Sequence, residues 1–192
     1  MTSQILDDGQ VTAAINLLGN RGDVATLLEI IAIRKTPALA ENRDYQRTFT
    51  GYYRMGRKKQ SFYQAYYSML QNAARADSLP SLSAVLQNLF DQTREKHLSF
   101  SSKLCATLDD NAVIFDKNVA GFFGVPRGDL GQQNWLTKAL DRYRRVQQGI
   151  DSFTHQPAWP QMRAQFNEKF PNAIHLPDIR VADLIIWADG AA

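Results

Sequence analysis

Residues Ser99 to Val119 read SFSSKLCATLDDNAVIFDKNV, and their order decides the fold class. Ser99–Leu108 carries small and apolar residues with no glycine or proline to interrupt them, which predicts a short helix. Asp109-Asp110-Asn111 is a turn cluster, because short polar side chains bond back to their own backbone. Ala112–Phe115 is an apolar run that suits either an extended or a simply buried segment. Asp116 then stands where a carboxylate accepts amide N–H groups and starts a second helix at Lys117. The stretch also sets a lysine, Lys103, and an aspartate, Asp116, thirteen positions apart in one helix–turn–helix unit.

The same periodicity extends outward. Val11, Ala14, Ile15 and Leu18 fall at i, i+3, i+4, i+7, with Gly19 as a stop. Asp23 suits the start of a second helix bearing Leu27, Leu28 and Ile31, and Pro37 keeps that helix from running much further. Residues 42–56 mix helical spacing (Tyr45, Phe49, Tyr52) with interruptions at Gly51 and Gly56. An amphipathic helix follows over about 59–76, with Phe62, Tyr63, Tyr66, Tyr67 and Leu70 on one face. Ser81 can cap a helix carrying Leu82, Val85, Leu86 and Leu89. Gly124, Pro126, Gly128 and Gly131 punctuate a loop before a long helix over about 133–150. A further helix spans about 160–169, and Pro177 and Gly190 bound the last one. Alternating strand patterns and hairpin dipeptides between apolar runs are absent. The expectation is an all-α domain of about eight to ten helices over residues 1–192, with a possible middle lobe over about 40–130 and both termini in the other lobe.

Composition agrees with a globular chain. Of 192 residues, 44% are hydrophobic and 21% charged, which excludes whole-chain disorder. The net charge of +3 is well short of a histone-like balance, but its distribution is uneven. From Arg43 to Lys59 there are six basic residues against one acid, Asp44, and a second cluster lies at Arg142, Arg144 and Arg145. The single cysteine, Cys105, cannot form an internal disulfide, and its LCATL context predicts a buried thiol. The polar, acidic start lacks the charge pattern of a signal peptide, and no apolar run is long enough to span a bilayer, so a cytoplasmic location is expected. His97, His155 and His175 are dispersed, no metal-ligand spacing appears, and no cofactor is expected.

Two features carry potential chemistry. A lysine acts as a nucleophile only when desolvation or a nearby charge lowers its pKa, and the helix around Lys103 permits burial. A carboxylate at a helix start is favoured as an anion and can orient water or steady a developing cation, as well as simply capping the helix. The second feature is the interleaving of rings and cations over Tyr45–Tyr67. Rings stack on unpaired bases and cations meet phosphates. The candidate contacts are Arg54, Arg57, Lys58, Lys59, Tyr52 and Tyr63, although Tyr63, Tyr66 and Tyr67 equally suit a core-lining face.

The run SSKLCATLDDNAVIFDKNV resembles the core of the helix-hairpin-helix DNA glycosylase superfamily. Ile114-Phe115-Asp116-Lys117-Asn118-Val119 is similar to that family's Val-Asp-Thr-His-Val-like segment. The resemblance covers about 20 residues. It implies a DNA-binding protein of base-excision repair, with Asp116 at the catalytic aspartate and Lys103 at the Schiff-base lysine. An extruded base would then be held by a ring from the Tyr52–Tyr67 region. The family's Leu-Pro-Gly-Val-Gly hairpin is replaced here by Lys96-His97-Leu98-Ser99-Phe100-Ser101-Ser102, and no cysteine cluster for an iron–sulfur centre follows. The alternatives on the same helical scaffold are a non-catalytic nucleic-acid-binding module and a protein-interaction module.

Overall fold

The computed structural model describes residues 5–36, 38–76 and 78–191. These residues form ten α-helices and one 3-10 turn, with no strand among them. In chain order the helices are α1 (Asp8–Arg21), α2 (Asp23–Ile33), α3 (Arg43–Tyr52), α4 (Gln60–Arg75), α5 (Leu82–Thr93), α6 (Leu98–Leu108), α7 (Lys117–Phe122), α8 (Trp135–Thr154), α9 (Trp159–Lys169) and α10 (Asp178–Asp189). The chain is all-α. None of the helices in the described residues is long and apolar enough to cross a membrane.

The chain divides into two compact units. One contains the residues up to Val24 and those from Asp110 onward, and the other is Ala25–Asp109. The divisions between the units fall at Val24/Ala25 and at Asp109/Asp110.

Local chemistry sets most helix ends. Asp7 and Gln10 form a reciprocal capping box on α1, which satisfies two amide donors at once. That helix runs past Gly19 to Arg21, because Gly22, at φ 68°, is the residue that adopts the left-handed closing conformation. Asn42 caps α3, and Ser81 caps α5. Pro177 lies just outside α10 rather than within its first turn. The expected breaker Pro37 lies outside the described residues.

Each unit is organised around one helix buried on nearly every side. In the terminal unit this is α10, which packs against α1, α7, α8 and α9. Val181, Ala182, Leu184, Ile185 and Ile186 are all buried, as an apolar helix surrounded by others requires. Arg180 and Asp183 are buried with them, 1% and 4% exposed, and Arg180 donates to the Ala112 carbonyl.

In the middle unit the central helix is α6. Every residue from Ser101 to Leu108 is buried, and α6 packs against α4 and α5. Aromatic rings fill the rest of this core. Phe49 contacts the rings of Tyr45, Tyr53, Tyr66 and Tyr67. The Tyr66 hydroxyl donates to the Phe100 carbonyl, and the Tyr67 hydroxyl to that of Gln46, so these two rings bury their area without stranding a polar tip, whereas the buried Tyr45 hydroxyl makes no hydrogen bond among the described residues.

Candidate nucleic-acid interface

Two loops of the middle unit lie side by side. The first, residues 53–59, joins α3 to α4. The second, residues 94–97, joins α5 to α6. The Lys58 ammonium donates to Glu95 Oε2 at 2.7 Å and holds them together. The His97 ring meets Phe62, at the start of α4, edge to face at 4.7 Å. Lys58 Nζ also lies 5.9 Å from the centre of the Phe62 ring and 5.6 Å from that of Phe100.

This joining makes one basic surface from two separate stretches of sequence. Arg54, Arg57, Lys59 and Arg94 are exposed, and Lys58 and Lys96 are partly so. Glu95 is the one acid within the two loops. The contribution from Arg94 and Lys96 escapes a sequence reading, since nothing local places them beside residues 54–59.

The backbone is costly at this surface. Arg54, Arg57 and Arg94 have φ of 50°, 67° and 60°, a region that L side chains rarely occupy. Arg94 is the left-handed closing residue of α5, a position that favours glycine. The helix starts are equally unusual. Lys59 flanks α4 and His97 flanks α6, neither helix start is capped by a side chain, and neither has an acid in its first turn. The positive end of each helix dipole thus adds to the cations instead of being offset.

The candidate rings are less available. Tyr63 is half-buried and its hydroxyl donates to the Met55 carbonyl. Tyr52 is half-buried with its ring edge to face with Tyr53 at 4.8 Å. Phe62, Tyr66 and Tyr67 belong to the core.

Lys103 and Asp116 belong to different units, Lys103 to the middle one and Asp116 to the terminal one. Lys103 is 8% exposed, in the middle of α6. Its ammonium donates to the Tyr53 carbonyl at 2.9 Å and lies 5.6 Å from the centre of the Phe100 ring. Asp116 is half-buried, and its Oδ1 accepts from the amides of Asn118 and Val119 at 2.9 and 3.0 Å. Those two bonds start α7. Cys105 is buried as its context predicts, and burial, then the Asp109 charge, pushes its thiol up to about 12. It is a packing residue rather than a nucleophile. Among the described residues no group of three or more His, Cys, Asp and Glu is placed to hold a metal ion.

The chain matches no protein-family model, no curated protein and no solved structure.

Proposed function

We propose that this protein binds nucleic acid, DNA in the first instance, through the paired loops 53–59 and 94–97. The observation that carries the reading is the convergence of six cations on a strained surface flanked by two uncapped helix starts. Phosphates are the ligand class that such a surface suits, because cations and helix N-termini both favour them. Left-handed arginines and cations at a helix N-terminus each cost folding free energy, and costs of this kind concentrate where function requires them. The half-buried Tyr52 is the ring best placed in sequence to add a stacking contact beside the loop.

The test is charge reversal of Arg54, Arg57, Lys58 and Lys59 to glutamate, with DNA affinity measured by fluorescence anisotropy. Loss of binding in a variant that keeps its helical circular-dichroism spectrum supports the proposal. Unchanged affinity overturns it.

One observation favours a second reading, cleavage of an N-glycosidic bond. Among the described residues the amide bonds to Asp116 fall on Oδ1, so a fixed carboxylate keeps Oδ2 for other work. An oxocarbenium-like sugar is the kind of cation such an oxygen steadies. Duplexes carrying damaged bases, treated with alkali after incubation, test this. Cleavage that is lost in Asp116→Asn supports it, and equal cleavage by both proteins removes Asp116 from the role.

A further inference from the structure

Within the basic surface one carboxylate, that of Glu95, meets both Lys58 and His97. Lys58 is only 26% exposed at its side chain, with its ammonium steadied near the Phe62 and Phe100 rings. Its partner Glu95 is 57% exposed. The lysine is therefore the fixed member of the pair and the glutamate the movable one.

His97 is the second fixed group. Its side chain is 5% exposed, and Nε2 lies 3.5 Å from the same Glu95 Oε2. That nitrogen is buried and makes no hydrogen bond of normal length among the described residues. The N-terminus of α6, eleven residues long, begins immediately after it without a side-chain cap. An oxygen at the Glu95 Oε2 position thus meets an ammonium and the imidazole edge of the residue that flanks α6. The positive end of that helix favours an anion.

We infer that Lys58, His97 and the start of α6 form a subsite for a single phosphodiester of a nucleic acid, which Glu95 fills until a phosphate displaces it. The inference rests on the nucleic-acid reading above and gives it an order of events. The Glu95 side of the pair is open to water, and ion pairs in reach of solvent contribute little to stability, so releasing Glu95 costs little. A phosphodiester carries the same single negative charge. It also extends along the strand to Arg57, Lys59 and Arg94, which Glu95 cannot do. The internal carboxylate discriminates against small anions, whose gain is limited to the one exchange.

The experiment is a double-mutant cycle read by anisotropy with a labelled oligothymidylate. The proteins are wild type, Glu95→Gln, Lys58→Met and the double variant. Glu95→Gln should tighten binding several-fold, and the gain should be mostly lost in the Lys58→Met background. No gain from Glu95→Gln overturns the inference. So does an equal gain in both backgrounds, which would mark a diffuse field effect instead of exchange at Lys58.

If no protein in the cycle binds the oligonucleotide, the interface reading fails by itself. The subsite is then decided by inorganic phosphate added to Glu95→Gln, with the His97 ring protons followed by nuclear magnetic resonance. A saturable shift absent from the double variant supports the subsite, and no shift overturns it.

Discussion

The Lys103 ammonium donates to the Tyr53 carbonyl at 2.9 Å, across fifty positions of sequence. This bond ties the centre of α6 to the residue that closes α3 and opens the basic loop. A carbonyl taken out of water needs its donor, and here the donor is a charged amine.

Lys103→Met keeps an unbranched apolar stem, one atom shorter, and removes the donor. The Tyr53 carbonyl then loses this partner in a buried setting, at a cost of about 1–3 kcal/mol. Thermal unfolding should report it as a lowered midpoint. The buried amine should also be among the last lysines modified by reductive methylation, read by mass spectrometry. Rapid labelling of Lys103 in the folded protein would contradict this packing.

Asp116→Ala removes both bonds that start α7 and should cost about 1 kcal/mol. Asp116→Asn should cost less, since asparagine is also a strong helix cap. The asparagine variant therefore separates capping from chemistry. Denaturant unfolding measures the first, and an assay of base excision measures the second.

Arg94→Gly relieves the left-handed backbone at the end of α5 and removes a cation from the interface. Stability should rise by about 1 kcal/mol, the scale of the left-handed penalty for a side chain. DNA affinity should fall. A variant that gains stability and keeps its affinity would show that the strain serves no binding role.

His97 gives stability a pH dependence. Burial, then the Lys58 charge, lowers its pKa from 6.5 to about 4, while Glu95 pulls the other way. Between those values the unfolded chain binds a proton that the folded ring refuses, so stability falls as pH drops through that window. Above 6.5 the contribution is complete. Glu95, lowered from 4.5 chiefly by its hydrogen bond to Lys58, adds a loss as pH falls below 4.5. His97→Phe preserves the ring packing against Phe62 and should flatten the upper part of the curve in denaturant titrations. An unchanged slope would place its origin elsewhere.

The sequence carries the helices in the spacing of their apolar residues and in their caps. Val11, Ala14, Ile15 and Leu18 are the buried face of α1, and Ser81 and Asp116 cap the helices their positions suggest. What it conceals is burial of polar groups and contact between distant loops. The small, apolar helix around Lys103 permits its burial, but spacing does not reveal that its partner is the Tyr53 carbonyl, nor that Arg180 donates to the Ala112 carbonyl. Tyr63 reads as a candidate ring on a basic helix, but its hydroxyl is taken up by Met55. Four of the six cations of the basic surface are legible at Arg54–Lys59. Arg94 and Lys96 join it through long-range contacts such as the pairing of Lys58 with Glu95, thirty-seven positions away. Local spacing holds no trace of such a contact.

The most direct test of the central claim is the salt dependence of DNA binding. Logarithmic affinity should fall linearly with logarithmic salt concentration, with a slope that reports the phosphates neutralised. Single substitutions of Arg57, Lys59 or Arg94 should each reduce that slope by about one, alike across DNA sequences. A wild-type slope near zero, or a slope untouched by all three substitutions, would contradict an interface built from these loops.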